Sequence, residues 1–199
     1  NEEVKQPMNR NQVGTPLLLQ QRPFWLILIG LVIVLGGVWI IFSQASRSDS
    51  VARSGAALEP APVAGHPAPE CELKTLAGTT LRRSDYKGQP ILVNFWATWC
   101  GPCRAEFPDF QRAFTDNAAE LVIIGVNHTA ADQVELVDDF VAEMGATFPI
   151  VLDETGEIVK RYRVLGLPTS VFIDRNGVIN EIFTGPINQA YIEAKLAEL

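Results

Sequence analysis

Apolar and polar positions divide this 199-residue chain into a charge-free stretch, a spacer of small residues, and a long tract of short apolar runs alternating with helical periodicity. No Asp, Glu, Lys or Arg occurs from Phe24 to Phe42. At about 1.5 Å per residue, a helix over 24–42 approaches the ~30 Å apolar thickness of a bilayer. The pattern therefore predicts a single transmembrane anchor, with Trp25 and Trp39 at its interfaces. A cleaved secretory signal is the rival reading, with Ser43-Gln44-Ala45 as its small-residue site, but the apolar stretch exceeds the usual signal core. Lys5, Arg10 and Arg22 precede the stretch, and Arg47 and Arg53 follow it. This slight excess favours a cell-membrane protein with its C-terminal domain on the extracytoplasmic side. Residues 1–23 read as a short tail, and 43–69, rich in Ala, Pro, Ser and Gly, as a linker that reaches roughly 30 Å as a flexible coil.

Residues 70–199 are enough for one core. Alternation at Cys71-Glu72-Leu73 and again at 79–81, around Ala77-Gly78, predicts an antiparallel pair. The runs Ile91 to Trp96 and Leu121 to Val126 read as strands buried on both faces of a parallel sheet. Between them, Phe107, Phe110 and Phe114 mark a helix over 102–117, in which Pro108 can give no N–H to the Arg104 carbonyl and should kink the axis. A second helix over 132–144 has Val134, Val137 and Val141 on one face and Gly145 as its stop. Arg175-Asn176-Gly177 between two apolar runs predicts a hairpin, and 191–199 a closing helix. This order implies an α/β fold: a mixed central sheet flanked by helices on both faces.

The formal charge of -7 and the lack of a basic stretch speak against nucleic acid as a partner. Three cysteines are too few for a disulfide scaffold. Two of them lie in Trp99-Cys100-Gly101-Pro102-Cys103, where a buried strand hands over to a helix. A thiol at a helix N-terminus is stabilised as thiolate by unpaired N–H groups and the macrodipole. Thiol-disulfide chemistry follows. An inert brace is the plainer alternative, but closing a four-residue ring restricts the unfolded chain little. A zinc half-site needs two more ligands, and Cys71, His66 and His128 are scattered, so no metal is expected.

The stretch from Asn94 to Pro108, NFWATWCGPCRAEFP, resembles the active-site segment of the thioredoxin superfamily, and more narrowly that of the membrane-tethered TlpA/ResA-like thiol-disulfide oxidoreductases. The resemblance runs from about Pro69 to the C-terminus and includes Tyr86-Lys87-Gly88, the 148–153 stretch and Leu167-Pro168-Thr169. It implies a thioredoxin-like fold, a nucleophilic Cys100, a resolving Cys103 and a cis-proline at Pro168 facing the pair. The redox-active pair would need no external cofactor. The implied substrates are disulfides of exported proteins, including the haem-attachment site of apocytochrome c in cytochrome c biogenesis. Gly101-Pro102 matches thioredoxin itself, near the reducing end of the scale, and so favours a reductase. Such a reductase, working outside the cytoplasm, needs a membrane electron donor.

Asn94 stands where thioredoxin has a buried Asp and cannot take up a proton. Glu106, one helical turn beyond Cys103, is then the candidate base for Cys103, with its pKa raised by partial burial. A solvated surface Glu is the bland alternative. Trp99, Leu167 and Pro168 are the candidate substrate-binding residues: Trp99 as an apolar platform and the backbone of Leu167 as a partner for an extended chain. Cys71 is expected to point inward as packing. His128 belongs to the sheet edge where Cys100 sits, with ordinary solvation as the simpler reading. The competing functions are a redoxin-type peroxidase, which would carry Cys100 through a sulfenic acid, and a tethered binding or chaperone module without redox cycling.

Overall fold

The computed structural model describes residues 26–39 and 58–199, which fall in two separate units. The first contains helix α1 over 26–39, whose apolar side chains from Leu26 to Trp39 are largely exposed. The rest of the expected 24–42 anchor lies outside the described residues, as does the tail. Among the described residues no helix is long and apolar enough to cross a membrane.

The second unit is built on seven strands: β1 Glu72–Thr75, β2 Thr80–Arg82, β3 Ile91–Trp96, β4 Val122–Asn127, β5 Ile150–Leu152, β6 Thr169–Ile173 and β7 Ile179–Thr184. They form one sheet in the order β2-β1-β5-β4-β3-β6-β7. The β3/β4 and β4/β5 pairs are parallel, and the flanking pairs are antiparallel. Alternation along β3 decides which side each residue serves. Leu92 and Trp96 face a cluster with Phe107, Phe110, Phe140 and Phe148, whereas Ile91, Val93 and Phe95 face one with Ile124, Val151 and Tyr162. Helices α2 Gly101–Asp116, α3 Val134–Met144 and α5 Gln189–Leu196 contribute buried residues to the first cluster, and α4 Glu157–Arg161 to the second. The sheet is thus covered on both faces.

Helix α2 runs through Pro108 without interruption. Along α3, Val137 of the expected valine face is buried beside Phe140 and Val141 packs partly buried against the same cluster, whereas Val134 is 40% exposed. The helix begins only at Val134, so that residue sits in the first turn, beyond the reach of the core. Gly145 ends the helix in the left-handed region, at φ 63°. The linker also ends sooner than 69. Gly65 N–H donates to the Ile179 carbonyl (2.8 Å), Ile179 N–H to the His66 carbonyl (2.9 Å), and Ala68 N–H to the Gly177 carbonyl (2.9 Å). Ala68 is buried and Tyr162 Oη donates to the Pro69 carbonyl (2.5 Å), so 58–69 is part of the folded unit.

Candidate active site

Strand β3 delivers the chain to Cys100, which is the N-cap of α2 with extended backbone, and Pro102 occupies the first turn, where a missing N–H is harmless. Cys100 and Cys103 form a disulfide. Cys103 N–H donates to Cys100 Sγ at 3.2 Å, so a backbone donor at the helix N-terminus already points at the sulfur that would carry charge after reduction. Cys100 retains 4% exposure and Cys103 none. Only the first is within reach of a partner.

Glu106 lies one turn along α2 and is 1% exposed. Its Oε1 accepts from Asn94 Nδ2 (2.9 Å), and its Oε2 from the Ile187 N–H (3.1 Å). Asn94 also donates to Ser170 Oγ at 3.2 Å. Burial pushes the Glu106 carboxyl up to about 7, against the two donors, which pull it down. The carboxyl is therefore poised near neutrality on the helix face that carries Cys103. Asn94, unable to exchange the proton itself, holds the group that can.

The Leu167-Pro168 bond is cis, and Pro168 is buried immediately before β6. Thr169, the next residue, pairs with Phe95 of β3, which sets this bond at the sheet end from which Cys100 departs. The Leu167 side chain packs partly buried against both hydrophobic clusters, one of which contains the cystine. Trp99 is 62% exposed, and its Nε1 donates to the Ala131 carbonyl (2.9 Å). It walls a cleft of about 440 Å³ with Arg104, Leu136 and Phe140.

One residue that holds this loop is invisible to the pattern of the sequence. Asp132 accepts from the Thr98 N–H (2.6 Å) and hydroxyl (2.5 Å), from Asn127 Nδ2 (2.8 Å) and from the Gln133 N–H (2.9 Å). Burial opposes ionisation there, yet these donors hold the Asp132 carboxyl below the usual range. The turn after β4 is thereby tied to the residues that lead into Cys100. No local signal marks Asp132, because its partner Thr98 lies 34 residues away.

His128 lies at this edge, its N–H bonded to the Trp96 carbonyl, but its Nε2 lies 3.5 Å from where a Gly156 Cβ would stand. That contact is with the loop before α4. Cys71 is buried on the opposite face from the cystine, and burial, reinforced by Glu70 and Asp153, pushes its thiol up to about 12. Among the described residues no group of three or more His, Cys, Asp or Glu can hold a metal ion.

Comparison with known proteins agrees with this geometry. Residues 64–182 match the model of the AhpC/TSA family. The thioredoxin-like protein YneN of Bacillus subtilis is 34% identical over 86% of this chain and 96% of its own. The thiol-disulfide oxidoreductase ResA of Oceanobacillus iheyensis is 31% identical over 85% and 84%. The crystal structure of StoA from Bacillus subtilis superposes with a TM-score of 0.58 at 31% identity, covering 64% of this chain and 96% of that one. With its redox centre in the cysteine pair itself, the chain belongs to the AhpC/TSA family as a thioredoxin-like thiol-disulfide oxidoreductase.

Proposed function

We propose that the chain is a membrane-tethered, extracytoplasmic reductase of disulfides in exported proteins, with Cys100 as nucleophile, Cys103 as resolving thiol and Glu106 as the base for Cys103. The observation that carries this reading is the pairing of a cystine at a helix N-terminus with a buried carboxyl whose pKa is about 7, one turn along the same helix. In the reduced enzyme, the Cys100 thiolate attacks one sulfur of the target disulfide and expels the other as a thiolate. Cys103 then gives its proton to Glu106 and attacks Cys100 Sγ. This forms the Cys100–Cys103 disulfide and releases the second target sulfur as a thiolate, which can take back the proton held by Glu106. Two electrons pass to the target, and a membrane electron donor restores the dithiol.

The base suits this step because a carboxyl with a pKa near the working pH is both ionised often enough to accept and able to give the proton back. Trp99 and the Leu167-Pro168 backbone flank the target chain. The charge-free 24–42 stretch and the exposed apolar side chains of α1 support the anchor. The TlpA/ResA resemblance makes apocytochrome c one candidate target.

Cys103→Ala tests the reading directly: it removes the resolving thiol, so the enzyme should accumulate as mixed disulfides with its targets through Cys100. In single-turnover reduction of a peptide disulfide at pH 7, Glu106→Gln should slow the resolving step by about 10²-fold and abolish its pH dependence near 7. An unchanged pH profile removes Glu106 from the mechanism. Rapid turnover of hydrogen peroxide without protein-disulfide reduction would replace the reductase by a peroxidase.

A further inference from the structure

The segment between α4 and β6 holds one apolar side chain that core packing does not use. Leu165 is 98% exposed, more than any other large apolar side chain among the described residues. Its neighbours turn inward: Val164 packs against the second cluster and Leu167 against both. The turn is held at each end. Val164 N–H donates to the Val159 carbonyl (3.0 Å), Arg163 takes a left-handed φ of 52°, and the Thr169 hydroxyl donates to the Gly166 carbonyl (2.7 Å). Leu165 projects because the residues around it are anchored.

Leu165 stands on the cis-proline loop, three residues before Pro168, and Thr169 just after that proline pairs with Phe95 of the strand that leads to Cys100. Leu167 packs on the cluster that contains Cys100 and Cys103, and the two residues of chain back to Leu165 reach at most about 7 Å. Trp99, directly before Cys100, is also exposed and is pinned by its bond to Ala131. Exposed apolar surface therefore lies before the cystine in the chain and again on the cis-proline loop. A target segment laid over Cys100 for sulfur exchange would cover both, and an apolar side chain there would leave water together with Leu165.

We propose that Leu165 is a specificity-determining residue for exchange at Cys100, selecting target polypeptides that carry a bulky apolar side chain within a few residues of their disulfide. Such segments are exposed when an exported protein is not yet folded. The proposal rests on the reductase reading and narrows its substrate class. It adds no chemical step. Leu165 acts on binding, and Cys100 and Cys103 carry out the exchange.

The test uses the full chain in its reduced form and two peptides of equal length closed by the same disulfide. One has Leu and the other Ser two residues from the attacked cysteine. The enzyme should show a kcat/KM about tenfold higher for the Leu peptide, with the difference in KM. Leu165→Ser should bring the ratio to about one, and Leu165→Met should preserve it. A ratio near one in the unaltered chain, or the same ratio in Leu165→Ser, overturns the proposal while leaving the reductase in place. Failure to reduce either peptide removes the reductase reading and the proposal with it.

Discussion

Glu106 shows how one buried side chain ties stability to chemistry. Its carboxyl holds a proton up to about pH 7 in the folded chain, against an ordinary value of 4.5. The folded state therefore binds that proton more tightly than the unfolded state does. Stability from this group is fully present below pH 4.5, falls as pH rises from 4.5 to 7, and is flat above. The shift amounts to about 3 kcal/mol at most. In urea denaturation of the oxidised protein, where neither Cys100 nor Cys103 titrates, this slope should be present in the unaltered chain and absent from Glu106→Gln. Identical slopes would mean that Glu106 does not hold its proton in the fold. The absolute stability of Glu106→Gln is a poorer guide, since an amide offers one acceptor to the two donors Asn94 and Ile187.

At the scale of elements, the site depends on how closely β4 approaches its neighbours. Gly125 pairs with Asn94 of β3 and with Ile150 of β5. A Cβ at Gly125 would stand 2.7 Å from Ile150 Cδ1, 3.1 Å from Phe148 Cε2 and 3.2 Å from Trp96 Nε1. These groups come from β5, the loop leading into it and β3, all around the first cluster, and Trp96 is wedged between Phe107 and Phe140 with ring centroids at 4.7 Å from each. Ile150 can turn its terminal methyl, but the rings cannot all follow. Gly125→Ala should therefore destabilise the fold by about 1–3 kcal/mol in denaturant melts. A neutral substitution would show that the layer between β4 and α2 is looser than its contacts indicate. α3 meets the same layer from the other side: Phe140 stacks on Trp96 and carries the Arg104 guanidinium at 4.6 Å.

For the whole molecule, the globular unit starts at Leu58, and the residues before β1 brace the hairpin end of the sheet. Removing 58–69 takes away three backbone hydrogen bonds to the β6–β7 region and the Tyr162 bond to Pro69, and uncovers the surface under Ala68. At roughly 1 kcal/mol net per bond, a fragment 70–199 should be less stable than 58–199 by about 3–5 kcal/mol. Equal melting of the two fragments would return the segment to the linker. The two hydrophobic clusters also divide the cysteines. Cys100 and Cys103 lie in one, and Cys71 lies across the sheet in the other. A buried thiol pushed up to about 12 takes no part in exchange near neutrality.

Local pattern was sufficient for the sheet core and the redox centre. The continuous apolar run 91–96, the phenylalanines of α2 and the turn at Asn176-Gly177 each state their structure within a few residues, and CxxC after a buried strand states its chemistry. The exposure of Val134, the start of the folded unit and the short β5 and α4 were not legible from periodicity, because short elements and chain entries take their form from what they pack against. The same holds for the site's support. Asp132 reaches Thr98 across 34 residues, Glu106 reaches the Ile187 N–H across 81, and Leu165 stands out only because Val164 and Leu167 are buried. Sequence by itself pointed to the Cys100–Cys103 pair and to the strand that leads into it, since both follow from neighbours along the chain. Tertiary structure alone decided how the Glu106 carboxyl is held and which apolar side chain is left exposed, since hydrogen bonds and burial between distant segments exist only after the sheet has assembled.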